Sequence, residues 1–285
     1  MQERTSYLSG VPCWLDIRQH DSEAAKEFYG GLFGWEFVST APEGSPQPYD
    51  VARIRGKDVA AIGRPRTADT PPSWNTYTAV DSVERATERV RRAGGTVVSE
   101  VMDIPGAGRL AVFADAQGAV FSVWEAAEFI GAQLVNEPGT WNFSELHTTD
   151  PEEAARFYRS VFDWELLDFA VGDSAYTFFK LAGYGASLAK NNPEFRDRIA
   201  ADEGAAAFAD VVATLIDEST QQDAGLPHWS VTFAVDDADA IAAEAERLGG
   251  KVIVPPFDVE PVRMTVLADP QGAVFTASKF QPREQ

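Results

Sequence analysis

The chain carries three histidines, His20, His147 and His228, and a single cysteine, Cys13. One cysteine excludes an internal disulfide and a thiolate metal site. In an apolar strand it reads as a small core residue. The chemistry-bearing pattern is Phe143-x-Glu145-x-His147, since strand alternation puts those three side chains on one face. His228, Ser230 and Thr232 form a second such series. If the two series face one cavity, a carboxyl group with raised pKa and two imidazoles could exchange protons with a bound molecule. The same groups could instead hold a displaced metal ion. An earlier series, Trp14, Asp16 and Arg18, offers Asp16 either as a second acid–base group or as a structural partner of Arg18.

The two series are copies. DSEAAKEFY at 21–29 returns as DPEEAARFY at 150–158, and FGWE at 33–36 returns as FDWE at 162–165, both at an offset of 129. AVDSV at 79–83 matches AVDDA at 234–238, and DAQGAVF at 115–121 matches DPQGAVF at 269–275, at offsets of 155 and 154. The second copy therefore holds about 26 extra residues, between Gly185 and Trp229. The expected domains are residues 1–130 and 138–285. Each copy divides again. A strand (12–18 or 141–147) precedes a helix capped by Asp21 or Asp150. In that helix Ala25, Phe28, Tyr29 and Leu32 fall on one face, as do Ala154, Phe157, Tyr158 and Val161. A second strand (74–80 or 228–235) precedes a helix stopped by Gly94-Gly95 or Gly249-Gly250. Each half reads strand, helix, then about three strands. Four βαβββ units give an α+β fold.

These motifs resemble the vicinal oxygen chelate superfamily of glyoxalase I, bleomycin-resistance proteins, fosfomycin-resistance enzymes and extradiol dioxygenases, in particular its tandem two-domain actinobacterial type. The resemblance covers both copies except residues 190–226 and the termini. It implies that paired units curve into half-barrel cups whose concave faces hold the site. It also implies where a divalent metal would be held: seven residues before the capping Asp, on the strand before the AVDD turn, and seven after the Asp of the DPxG turn. Those positions are Trp14, Asn75 and Ser122 in the first copy and Phe143, Ser230 and Thr276 in the second. None is an ordinary ligand, so no metal and no cofactor is expected.

In place of a metal, the first cup would present Trp14, Asp16, Arg18, Asn75, Tyr77 and Trp124. The second would present Phe143, Glu145, His147, His228, Ser230, Thr232 and Thr276. Arg109 and Arg263, which open the strands into each DPxG turn, are candidates for substrate binding. Aromatic floors with a few ionisable groups suit an apolar, oxygenated small molecule. Trp35, Trp164 and the Phe-Tyr pairs read as core. His20 beside Asp21 should be exposed, and the Pro-rich stretch 42–48 reads as a hairpin or rim loop. In the insertion, Phe195, Ile199, Phe208, Val211, Val212 and Leu215 punctuate a helix-favouring run that should pack on the sheet or close one cup as a lid.

Acidic residues outnumber basic ones 44 to 24, a formal net charge of −20 that disfavours nucleic acid and anionic membrane surfaces. The N-terminus lacks the apolar core of a signal peptide, so a cytoplasmic protein, monomeric or homodimeric, is expected. Two functions fit. One is a metal-independent enzyme of secondary metabolism that cyclises, isomerises, opens an epoxide or acts as a lyase by acid–base chemistry. The other is a protein that binds and sequesters a drug or hydrophobic metabolite.

Overall fold

The computed structural model describes residues 3–41, 48–65, 67, 70–171, 174–221 and 225–281. Most of the Pro-rich stretch, residues 42–47, lies outside them. The first half runs β1 (Pro12–Arg18), α1 (Ser22–Phe33), β2 (Glu36–Ser39), β3 (Tyr49–Ile54), β4 (Lys57–Gly63), β5 (Ser73–Ala79), α2 (Val83–Arg92), β6 (Thr96–Ile104), β7 (Gly108–Ala114) and β8 (Val120–Ala126). The second runs β9 (Trp141–Thr148), α3 (Pro151–Phe162), β10 (Glu165–Val171), β11 (Ser174–Lys180), α4 (Tyr184–Asn191), α5 (Pro193–Ala201), α6 (Glu203–Phe208), β12 (Val211–Asp217), β13 (His228–Ala234), α7 (Ala238–Arg247), β14 (Lys251–Val259), β15 (Val262–Ala268) and β16 (Val274–Phe280).

The strands form two eight-stranded mixed sheets, ordered β2-β3-β4-β1-β5-β8-β7-β6 and β10-β11-β12-β9-β13-β16-β15-β14. Each is two βαβββ units joined by an antiparallel central pair, β1 with β5 and β9 with β13. The α+β architecture is as expected. Neither sheet closes into a barrel, but sheet two curls enough for Tyr176 on β11 to donate to the Glu260 carbonyl at the β14–β15 turn, near its far edge. The helix starts are as read: Asp21 accepts from the Ala24 amide and Asp150 from the Glu153 amide, with Pro151 in the first turn.

The two halves share their cores. One buried cluster joins Leu15, Phe28, Tyr29, Trp35 and Ile62 of the first half to Val231, Phe233, Ala242 and Phe275 of the second. The other joins Val83, Val90, Phe113 and Phe121 to Leu146, Phe157, Trp164 and Leu215. Tyr29 donates to Asp269 at 3.0 Å, and Tyr158 donates to Asp115 at 3.0 Å. Thus α1 lies on β2 and β4 of its own sheet and meets α7 of the second half, while α3 lies beside β10 and meets α2 of the first. The glycine doublets follow from this. Gly94 and Gly249 have φ of +89°, ending α2 and α7. A Cβ on Gly95 would fall 2.9 Å from the Phe157 ring, and one on Gly250 2.8 Å from the Phe28 ring. The first glycine stops the helix and the second admits an aromatic ring from the other half.

The insertion corrects the sequence reading. It lies one strand earlier than expected, between β11 and β12, where sheet one has only the tight turn at Arg55-Gly56. Val211, Val212 and Leu215 belong to β12 and pair with β9 and β11 rather than forming a lid. An apolar run beginning Val-Val after alanines fits either period, and its β-branched residues decide for strand. Helices α4 to α6 are the true insert. Asp210 ties off their base by accepting from the Gly183 and Gly185 amides. Among the described residues, no helix is long and apolar enough to cross a membrane.

Gly95→Ala and Gly250→Ala should each destabilise the protein by about 1–3 kcal/mol through overpacking. Expressed alone, residues 1–130 or 138–285 should show no cooperative melt, while co-expression restores one. Urea unfolding and circular dichroism check both statements, and a cooperatively folding isolated half would contradict the shared core.

Candidate functional site

With the helical faces of the two halves packed together, the concave faces of the sheets are the candidate ligand surfaces. In sheet one that face is filled. Asp16 has no exposure and its carboxylate accepts four bonds: Arg18 at 2.7 Å, Tyr77 at 2.9 Å, Asn75 at 3.0 Å and Tyr49 at 3.1 Å. Arg18 also stands over the Tyr49 ring at 5.3 Å. Burial, with the Asp16 carboxylate adding to it, holds the Tyr49 and Tyr77 hydroxyls above the ordinary phenol range, so both remain donors. Trp14 donates to Tyr49 at 2.9 Å, and Phe129 from the segment after β8 sits edge-on against Trp14 and Trp124 at 4.8 and 5.9 Å. Asp16 is thus a fully enclosed carboxylate met by four donors, the arrangement its reading as a structural partner of Arg18 expects. Asn75, Tyr77, Arg18, Trp14 and Trp124 hold this cup shut around it.

Sheet two is different at the matched positions. Phe143, Glu145, His147, Ser230 and Thr276 are only partly buried. The register sets Glu145 opposite Ser230 and His147 opposite His228 across β9 and β13. Glu145 accepts from Ser230 at 2.8 Å and from Thr232 at 2.5 Å. His147 Nε2 lies 3.0 Å from Ser230 Oγ, and its Nδ1 lies 2.8 Å from Glu218 Oε1. The His147 and His228 rings stack at 4.5 Å and 6°, and His228 Nδ1 donates to the Leu226 carbonyl at 2.9 Å. Glu218, just past the end of β12, is the member the sequence reading missed; it lies 71 residues from His147 and its own segment gives no sign of the contact.

Beside this polar line stands an aromatic wall. Phe208 at the end of α6 lies 6.1 Å from Phe143, 5.9 Å from Phe169 and 5.0 Å from Phe178. The insertion therefore reaches the cup through Phe208. Phe195 is half-buried and pairs with Arg198, and α5 buries no residue fully.

Arg109 and Arg263 do not enter either cup. Strand alternation turns them to the helix side, where Arg109 pairs with Glu84, Asp103 and Glu125, and Arg263 with Asp239 and Asp258. His20 is exposed, near the Thr70 carbonyl, and Cys13 is buried in the core.

The donor set does not suit a divalent metal. Trp14 and Asn75 direct N–H groups at Tyr49 and Asp16, Ser122 is buried, and Phe143 offers no donor atom. Among the described residues no three His, Cys, Asp or Glu side chains converge as a metal site would require. The line can move protons instead. Burial raises the Glu145 pKa, against the opposing pull of the Thr232 and Ser230 hydroxyls and His147.

A matching family model identifies the chain as a member of the Glyoxalase/Bleomycin resistance protein/Dioxygenase superfamily, over residues 13–123 and 142–276. It is 38% identical, over the full length of both chains, to a protein of Mycobacterium tuberculosis named "Putative glyoxylase CFP32". It is 34% identical to anthracycline biosynthesis protein DnrV of Streptomyces peucetius, over 97% of this chain and 96% of that one. Among solved structures, the Mn(II)-bound glyoxalase of Novosphingobium aromaticivorans shares the fold with a TM-score of 0.60 at 18% identity, covering 95% of this chain and 82% of that one. So does the 2,3-dioxygenase LapB of Pseudomonas sp. KL28, with a TM-score of 0.60 at 11% identity, covering 98% and 96%.

The raised Glu145 pKa fixes the sign of a stability effect. A carboxyl whose folded pKa exceeds its unfolded value stabilises the fold below the unfolded pKa, and that contribution is lost as pH rises through the folded one. Glu145→Gln, which cannot ionise, should therefore melt higher than the wild type at pH 8, with the gap shrinking toward pH 4. Differential scanning calorimetry across that range checks this; a gap that widens on acidification would contradict it.

Proposed function

We propose that the protein is a metal-independent enzyme whose working site is the cup of sheet two, where Glu145 acts as general acid or base on an oxygenated, partly apolar small molecule. The observation that carries this reading is the bonding of Glu145: a partly buried carboxyl met by two hydroxyls rather than by a guanidinium, with His147 one hydroxyl away. Such a group keeps its proton above the usual carboxylate range and can deliver it to a carbonyl or epoxide oxygen. Its conjugate base can remove a C–H proton next to a carbonyl. The aromatic wall of Phe143, Phe178 and Phe208 would hold the apolar body and exclude water. Isomerisation, cyclisation, epoxide opening and lyase steps all need only these groups.

The relatives suggest a substrate class. DnrV and DauV are named anthracycline biosynthesis proteins, and a planar polycyclic hydroxyquinone has the apolar faces and oxygen-bearing edges this cup would take. A second reading is sequestration of such a compound without turnover, which the aromatic wall also favours.

The test is incubation of dialysed protein with a panel of polycyclic hydroxyquinone aglycones, followed by mass spectrometry and elemental analysis. The expected result is a rearranged product without a stoichiometric divalent metal. Loss of the general acid–base group in Glu145→Gln should lower the rate about 100-fold or more, and Asp16→Asn should act mainly on stability. A ligand bound but recovered unchanged supports sequestration. One equivalent of metal with activity abolished by chelation would overturn metal independence.

A further inference from the structure

We propose that Glu218, His147, Ser230 and Glu145 form a proton relay, in which the Ser230 hydroxyl passes a proton between Glu145 and His147 and Glu218 fixes the tautomer that makes this possible. The inference rests on the acid–base reading of the same cup.

Ser230 has one hydroxyl hydrogen and two neighbours able to accept it: Glu145 Oε2 at 2.8 Å and His147 Nε2 at 3.0 Å. It cannot donate to both. Two arrangements satisfy every contact with the same number of protons. In one, Glu145 is a carboxylate accepting from Ser230, Ser230 accepts from His147 Nε2–H, and the imidazolium's Nδ1–H donates to Glu218. In the other, Glu145 is the acid and donates to Ser230, Ser230 donates to Nε2 of a neutral His147, and Nδ1–H still donates to Glu218. Interconversion moves one hydrogen across each of two hydrogen bonds, and one net proton passes between His147 and Glu145. No heavy atom need travel.

Two further residues define the ends. Thr232 donates to Glu145 Oε1, which leaves Oε2 as the oxygen facing Ser230. Glu218 accepts from Nδ1 in both arrangements, so a neutral His147 keeps its lone pair on Nε2, toward Ser230. The titratable groups facing His147 are Glu218, Glu145 through Ser230, and the stacked ring of His228. Asp217 turns instead to the Ser219 amide. The His147 and His228 rings stack at 4.5 Å, and of the two only His147 has a carboxylate beside it, Glu218 at 2.8 Å. With 23% of its side chain exposed, His147 can exchange protons with water.

The copy in sheet one shows what the same positions look like without a relay. Asp16 takes the place of Glu145, Arg18 that of His147 and Asn75 that of Ser230. A guanidinium does not deprotonate and an amide N–H does not pass its hydrogen on. That copy has fixed donors where sheet two has titratable ones.

Histidine side-chain ¹⁵N NMR on the ligand-free protein tests the relay without any substrate, so its outcome is separate from whether turnover is ever found. Expected is a neutral His147 in the Nδ1–H tautomer, the minor form in water, and loss of that form in Glu218→Gln. Expected also is a two-step titration of His147 that tracks the Glu145 ¹³C carboxyl signal. It should collapse to one step in Ser230→Ala and Glu145→Gln and persist in Ser230→Thr, which keeps the hydroxyl. A neutral His147 in the Nε2–H form in the wild type, or a titration untouched by Ser230→Ala and Glu145→Gln, would overturn the proposal.

Discussion

Tyr29 and Tyr158 each cross from a helix of one half to a buried Asp in the turn of the other, Asp269 and Asp115. This exchange sets the conditions for everything else in the molecule. A βαβββ pair has an apolar back that must be covered, and here the helices lying on the two backs meet across the halves, α1 against α7 and α2 against α3. The second glycine of each doublet, Gly95 and Gly250, leaves room for an aromatic ring of the other half. With the helical faces packed together, the concave faces are the candidate ligand surfaces, and the two copies are free to diverge there.

Their divergence is chemical more than architectural. At the same place in the sheet, the first copy puts a carboxylate against a guanidinium, two phenols and an amide. The second puts one against two hydroxyls backed by an imidazole. A guanidinium permanently neutralises its partner, so a buried carboxylate beside it has no proton to give. Hydroxyls share protons without fixing a charge, and an imidazole gains or loses one near neutral pH. Phe129 completes the contrast by packing between Trp14 and Trp124, where sheet two presents the wider Phe143, Phe178 and Phe208 surface.

The four units, their caps and the grouping of Glu145 with His147 and Ser230 were legible in the sequence, because a duplicated chain displays its periodicity twice. Strand alternation carried the cup-facing sets. It misplaced Arg109 and Arg263, which begin their strands on the opposite parity and meet acids near the starts of α2 and α7. The helix-favouring run in the insertion put Val211, Val212 and Leu215 in a segment packed on the sheet or closing a cup, although they form an interior strand of the sheet. Glu218 was invisible for another reason: its partner lies two strands away along the chain, and only the parallel pairing of β12 with β9 brings them together. That Asp16 is enclosed by four donors and Glu145 met by two hydroxyls could not be read from their neighbours in sequence, since Tyr49 and Tyr77 converge on Asp16 only in three dimensions.

The two cups differ most in access: Asp16 has no exposure, whereas Glu145 and His147 are only partly buried. A crystal structure of the protein soaked with a planar polycyclic hydroxyquinone tests this directly. The expected result is density against β9 and β13, with the ring system on Phe143 and Phe208 and an oxygen within hydrogen-bonding distance of Glu145. Density in sheet one between Trp14 and Trp124, with Phe129 displaced, would contradict it.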